Sequence, residues 1–234
     1  MKKRCVIVGG ADINNYEYIK SELNDDDFLI FCDCGLRHMT PLEVRPSLIV
    51  GDFDSHENPH LDVETIVLPC EKDDTDTVFA VKEALKRGFD NFLLIGVIGA
   101  RLDHTLGNVS ILLYLDSLGK RARIIDDYSE MEIVSGAPAG TPNCDTQNAC
   151  SKNSRKQNNI MSGAPAYISD KFSFFSLLNI SGCAKGITIK NAKYTLNDGE
   201  ITCEYQYGVS NEVLPGETAE VTVKEGRLLL IKDR

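Results

Sequence analysis

Over its first 125 residues the chain alternates short apolar runs with stretches of helical spacing, and this alternation restricts the fold more than any other feature. Arg4–Val8 is a short apolar run ending in Gly9-Gly10, and Asn14–Leu23 reads as a helix. Phe28–Cys32 and Leu48–Val50 read as strands, with Pro41 and Pro46 punctuating between them. Thr65–Leu68 is a further strand before Pro69. Thr75 or Asp76 then caps a helix in which Val78, Val81 and Leu85 recur at helical spacing, closing near Gly88. Asn91–Ile95 is a strand, Thr105–Leu118 a helix stopped by Gly119, and Arg121–Ile125 a last strand. Strands and helices in turn predict a mostly parallel sheet with right-handed crossovers. The expected unit is a three-layer, Rossmann-like α/β domain over residues 1–127.

After Asp127 the pattern changes. Met131–Val134, Lys171–Leu177, Gly186–Ala192, Ile201–Tyr207, Ala219–Lys224 and Leu228–Ile231 are short β-rich runs separated by Gly, Asn and Pro. Lys224–Arg227 suggests a hairpin turn. An all-β sandwich or jelly roll over residues 128–234 is the expectation. Within it, SGAPA occurs at 135–139 and again at 162–166, bracketing a run rich in Asn, Ser, Lys and Gln. Such a composition buries too little apolar surface to offset ordering entropy, so residues 140–161 are expected to be a poorly ordered surface insertion.

The chemistry is concentrated in acidic groups that follow the predicted strands. Asp33 follows Phe28–Cys32, Asp52 and Asp54 follow Leu48–Val50, and Asp103 comes in the GVIGARLDH segment after Phe92–Ile95. Asp73 to Asp76, in KDDTD, precede a helix start. In an open α/β sheet the active site lies outside the carboxyl ends of the strands, which would gather these carboxylates on one edge. Two carboxylates about 5 Å apart repel by about 3 kcal/mol at an effective dielectric near 20. Gathered carboxylates therefore call for cations, and hard oxygen ligands on an open site suit Mg²⁺ carrying a phosphorylated substrate. An extended VGDFDS would project Asp52 and Asp54 to the same side. Asp73 and Asp76, three apart, would share one face of a first helical turn. Gly96 and Gly99 would let a phosphate approach the backbone, with Arg101 beside it to neutralise charge. Nothing matches the P-loop pattern, so a nucleotide must be held in another way.

Composition excludes some classes. Twenty-five Lys and Arg against 35 Asp and Glu give a formal charge of −10, a poor footprint for nucleic acid. The apolar part of MKKRCVIVGG ends at Val8, too short for a signal h-region or a membrane span, so a cytoplasmic protein is expected. Eight cysteines follow no regular framework and read as reduced thiols. Cys32 and Cys34 flank Asp33, but no second cysteine pair or histidine at ligand spacing supports structural zinc.

Four segments in this order, PSLIVGDFDS (46–55), KDDTD (72–76), GVIGARLDHTLGN (96–108) and GVSNE (208–212), resemble the thiamine pyrophosphokinase family. The resemblance covers nearly the whole chain apart from the insertion. It implies transfer of pyrophosphate from ATP to the hydroxyethyl group of thiamine, giving thiamine diphosphate and AMP. It also implies an N-terminal catalytic domain, a C-terminal thiamine-binding β-sandwich, and a homodimer with its sites at the subunit interface. Carried over by motif, Asp52, Asp54, Asp73 and Asp76 would bind Mg²⁺. Lys72, Arg101, Asp103 and His104 would contact ATP, and Asp76, Arg101 and Asp103 would act in catalysis, with Asp76 or Asp103 as proton acceptor. Asp33, Tyr194, Ser210 and Asn211 would face thiamine. Two departures stand out: Asp33-Cys34-Gly35 replaces the family's Asp-Gly-Gly, and no tryptophan is present to stack on the pyrimidine. Tyr194 would stack in its place or pack within the sandwich.

Two other functions compete from the residues alone. A phosphatase would use Asp52 as nucleophile and Asp54 as acid/base, as D-x-D after a strand permits. A non-enzymatic module would bind cations through the same loops, although none has the 12-residue EF-hand spacing.

Overall fold

A computed structural model describes residues 4–54, 58–71, 73–99, 101–137 and 163–234. The insertion, including Cys144 and Cys150, lies outside the described residues, as does Lys72. The chain divides into two compact units, Met1–Glu130 and Met131–Arg234.

The first unit runs β1 (Cys5–Val8), α1 (Tyr16–Ser21), β2 (Phe28–Cys32), a 3₁₀ helix (Asp33–His38), α2 (Met39–Leu42), β3 (Leu48–Gly51), β4 (Thr65–Val67), α3 (Asp76–Lys86), β5 (Asn91–Ile95), α4 (Leu102–Ser117) and β6 (Arg121–Ile125). Its strands lie in the order β4-β3-β2-β1-β5-β6, every neighbouring pair parallel. Parallel strands need crossovers, and the alternation in sequence supplies them.

Strands β1 and β3 are buried at every position, which explains why they read as unbroken apolar runs. Val6, Val8, Leu29, Phe31, Ile49, Leu93 and Ile95 form one cluster with Ile19 of α1 and Leu42 of α2. The intervening Ile7, Ile30, Leu48, Val50 and Leu94 are equally buried, so side chains of both orientations are covered. Helix α3 packs on β1, β2 and β3, and α4 on β6. Thr75 caps α3 by accepting from Val78 N at 3.3 Å.

Cys5 and Cys32 sit inside this sheet. Burial pushes the Cys5 thiol up to about 12, with the Asp27 charge adding to the shift. Cys32 rises further, through burial first and the Asp76 charge second. A neutral thiol is a poor nucleophile. A short iodoacetamide pulse at pH 8 on the native protein is therefore expected to alkylate the exposed Cys70 and to spare Cys5 and Cys32 until denaturant is added. Peptide mapping by mass spectrometry checks this; early labelling of Cys32 would contradict the burial of β2.

The second unit is all β among its described residues. After β7 (Ser129–Ser135), which spans the division between the units, come β8 (Ala166–Ser169), β9 (Phe174–Leu178), β10 (Cys183–Lys190), β11 (Leu196–Thr202), β12 (Thr218–Thr222) and β13 (Arg227–Asp233). An antiparallel sheet has the order β11-β10-β12-β8, and β13 pairs antiparallel with β9 outside it. Ile168, Phe175, Ile187, Ile201, Val221 and Leu230 form the shared core of the two layers.

Three expectations change here. Strand β8 was not foreseen, because its four residues begin on the last residue of the second SGAPA segment. Strand β11 lies earlier than expected; its Asn197-Asp198-Gly199 centre hides it, and Asp198 takes the left-handed φ of 56°. The predicted hairpin at Lys224–Arg227 is a crossing between sheets, since β12 pairs with β8 and β10 while β13 pairs with β9. Gly226 makes that corner at φ 83°, where a Cβ would stand 2.2 Å from Cys183 O.

Candidate active site

The carboxyl ends of the parallel strands surround a cavity of about 580 Å³. Each wall follows from one strand. Gly9 to Asp12 come after β1; Asp33, Cys34 and Arg37 after β2; Asp52 and Asp54 after β3. Thr75 to Thr77 line it at the start of α3. Gly96, Val97, Gly99 and Arg101 bridge β5 to α4, whose His104, Thr105 and Asn108 complete the lining.

Asp33, Asp52 and Asp76 each present a carboxylate oxygen, and the three atoms lie within 4.8 Å of one another. Asp33 is 4 % exposed and the other two are half-buried. The close approach of β2 and β3 requires Gly51, whose Cβ would stand 2.9 Å from that of Asp33. A second approach joins β1 and β5: Gly96 has φ 61°, and a Cβ there would stand 2.6 Å from Gly9 O. Gly96 thus serves strand crossing first.

This geometry brings Asp52 and Asp76 together with Asp33 and leaves Asp54 and Asp73 outside that group. Phe53 adopts φ 58° and packs against the core cluster, so residues 51–54 are not uniformly extended. Asp52 joins the triad, and Asp54 lines the cavity outside it, its N–H donating to Asp52 Oδ1 at 3.4 Å. Helix α3 starts at Asp76, so Asp73 precedes the first turn; it is exposed and outside the lining. Asp74 accepts from Lys82 Nζ at 2.6 and 2.8 Å. Asp33, assigned by resemblance to thiamine, sits in the acidic triad.

Arg101 faces the cavity and grips Asp103, donating from Nη2 at 2.7 Å and Nε at 3.3 Å. Arg101, with help from the His104 N–H, pulls the Asp103 carboxyl down to about 2. Asp103 itself is outside the lining. Thr105 Oγ1 accepts from Gly99 N at 3.1 Å and donates to Gly99 O at 3.2 Å, fixing the glycine turn against α4. Asn108, buried, donates to Val97 O at 2.8 Å.

Sequence reasoning missed Asp12 and Arg37. Arg37 was legible only as the residue four beyond Asp33; the tight turn that brings it back to the cavity is a tertiary fact. Asn108 stood inside a quoted motif without a role.

In the second unit, Tyr194 and Asn211 meet. Asn211 is buried; its Oδ1 accepts from the N–H of Tyr194 at 3.0 Å and of Glu212 at 2.9 Å, and its Nδ2 donates to Tyr194 O at 2.7 Å. Its side chain is thereby committed to the backbone. The Tyr194 ring is 61 % exposed, with Lys193 Nζ 5.6 Å from its centroid. Ser210 is exposed at φ 57°, its N–H donating to Ser176 Oγ at 3.1 Å. Asn211→Ala strands three backbone groups, and a loss of about 2 kcal/mol is expected. Denaturant unfolding checks this; an unchanged midpoint would contradict it.

No helix among the described residues is long and apolar enough to cross a membrane. Residues 19–125 match the family model for the catalytic domain of thiamin pyrophosphokinase, and residues 167–228 match that for its vitamin B1 binding domain. A thiamine pyrophosphokinase of Bacillus subtilis (strain 168) is 24% identical, with 98% of each chain covered. Among solved structures, thiamine pyrophosphokinase from B. subtilis superposes with a TM-score of 0.76 at 22% identity, covering 99% of both chains. The enzyme from Geobacillus thermodenitrificans gives 0.75 at 21%, covering 99% of this chain and 97% of the other. That from Candida albicans gives 0.68 at 12%, covering 99% and 89%.

Proposed function

Because the chain belongs to the thiamin pyrophosphokinase family, we propose that it transfers pyrophosphate from ATP to the hydroxyethyl oxygen of thiamine, releasing AMP. The observation that carries the reading to particular residues is the triad Asp33, Asp52 and Asp76 in the lining of the strand-end cavity. Three carboxylate oxygens in reach of one another suit a hard divalent cation, so these residues would hold Mg²⁺. Bound there, Mg²⁺ would neutralise charge on the polyphosphate.

The remaining work falls to the chain's own groups. Arg101, already oriented by Asp103, meets the developing charge, while Arg37 and His104 line the same cavity and bind ATP with it. Thiamine's hydroxyl attacks the β-phosphorus in line with the departing AMP. Of the two carboxylates considered as proton acceptor, Asp103 is gripped by Arg101 and stands outside the cavity lining, whereas Asp76 lines it, which favours Asp76.

We assign ATP and Mg²⁺ to a Rossmann-like first domain and thiamine to a sandwich of jelly-roll type after it. In the second, Tyr194 offers an exposed ring for stacking. Asn211 acts through the backbone it clamps, beside Ser210. A homodimer, with thiamine between subunits, and a cytoplasmic setting, where the six described free thiols stay reduced, complete the proposal. Neither the phosphatase nor the passive cation module is favoured.

Incubation with ATP, Mg²⁺ and thiamine is expected to yield AMP and thiamine diphosphate in equal amounts, with turnover lost in EDTA and restored by Mg²⁺. Formation of ADP would contradict pyrophosphate transfer. Phosphate release from small phosphoesters without ATP would favour the phosphatase.

A further inference from the structure

The 3₁₀ helix Asp33–His38 carries a second device besides Asp33. His38, at its end, is 1 % exposed and is not part of the cavity lining. Its Nε2 lies 2.8 Å from Ala11 O, and its Nδ1 lies 2.8 Å from the Tyr16 hydroxyl. A carbonyl oxygen only accepts, so Nε2 carries the proton; with the ring neutral, Nδ1 accepts from the Tyr16 hydroxyl. Arg37 Nε stands 3.4 Å from the same Nε2, too far to compete with the shorter bond. Burial holds the His38 pKa below the ordinary histidine value, and the neighbouring Arg37 charge acts in the same direction.

Arg37 works on the same loop. Its Nη2 donates to Gly10 O and, at 2.7 Å, to Asp12 Oδ1. From the other side the loop is tied to the end of β5, with Gly9 N donating to Ile95 O at 2.9 Å and Ala11 N to Gly96 O at 2.8 Å. Gly10, Ala11 and Asp12 are therefore each anchored by Arg37 or His38, and all three line the cavity with Arg37.

We propose that His38, backed by Tyr16, is a positioning residue for the anion-binding wall of this cavity. It holds the Gly10–Asp12 loop and Arg37 in the arrangement that receives the polyphosphate, without touching substrate. The inference rests on the reading of this cavity as the ATP site. A wall fixed in advance spares ATP the cost of ordering it, so its loss raises the KM for ATP more than it lowers kcat.

Steady-state kinetics on His38→Leu, His38→Gln and Tyr16→Phe test this. His38→Leu removes the donor to Ala11 O and is expected to raise the KM for ATP about tenfold, the size of one buried hydrogen bond, with kcat within about threefold. His38→Gln, which keeps an N–H near the position of Nε2, is expected to restore most of that affinity. Tyr16→Phe, which leaves the ring in place should His38→Leu fail to fold, is expected to raise the KM for ATP about threefold. The KM for thiamine stays unchanged throughout. A fall in kcat or melting temperature with the KM for ATP unchanged, in the folded variants, would reduce His38 to a packing residue and overturn the proposal. Failure of the wild-type chain to bind a fluorescent ATP analogue would overturn the functional reading itself, and this inference with it.

Discussion

Asp76→Asn is expected to lower kcat by at least about a thousandfold, the scale at which removing a group that organises transition-state charge acts. Asp76 is the triad member delivered by a helix start, and its oxygen lies within 4.8 Å of those of Asp33 and Asp52. Asparagine keeps the shape and removes the charge. The same change relieves repulsion in the metal-free protein, where two carboxylates about 5 Å apart cost about 3 kcal/mol at an effective dielectric near 20. Half-burial of Asp76 and Asp52 discounts that figure through solvent screening, leaving a gain of roughly 1 kcal/mol. Activity should thus collapse while the metal-free melting temperature holds or rises, the trade expected of a site built from mutual repulsion. Turnover assays and thermal melts in EDTA check both halves. Near-normal kcat, or a large fall in stability, would dissolve the assignment of the triad.

The second large effect lies away from the chemistry. Phe31→Ala is expected to destabilise the first unit by about 3–5 kcal/mol, the usual cost of emptying a buried aromatic site. Phe31 is fully buried one residue before the end of β2, in one cluster with Val8, Ile19, Leu42 and Ile49. For a unit of this size the loss corresponds to a fall in melting temperature of roughly 10–20 °C. Because Asp33 follows β2 by one residue, the site should lose its geometry as the strand loosens, without any cavity residue having changed. Circular dichroism melts, read beside Phe31→Leu as the milder control, test the expectation. A shift of only a degree or two would mean that the core is not centred on β2.

Much of the site was readable because the relevant residues stand beside strand ends. Asp33 and Asp52 each follow an apolar run, and Thr75-Asp76 is a capping signal before a periodic helix. Which of the acids come together was not readable. Asp54 and Asp73 have the right type and spacing, yet Phe53 turns into the left-handed region and α3 begins only at Asp76. The first depends on packing, since Phe53 is drawn against the apolar cluster; the second follows from the local Thr75 cap, which leaves Asp73 ahead of the helix. Arg37 and Asp12 were silent for the same reason, since their meeting depends on a short 3₁₀ turn.

In the second unit the β content was evident from spacing, while the pairing was not. Lys224–Arg227 has hairpin composition, but the partners of β12 and β13 lie elsewhere in the chain, and local residues do not encode them.

By itself the sequence determined the alternation of strand and helix, the all-β second half, the family and the set of acids available for chemistry. The alternation and the β content are written in local periodicity and composition, which act over a few residues; the family is written in four short motifs. Tertiary contacts alone settle which three of those acids bring oxygens within 4.8 Å of one another, that a buried histidine and a half-buried tyrosine bond beside the Gly10–Asp12 loop, and where the second unit's chain changes sheets. Those outcomes are set by contacts between residues far apart in the chain, where packing outweighs local preference.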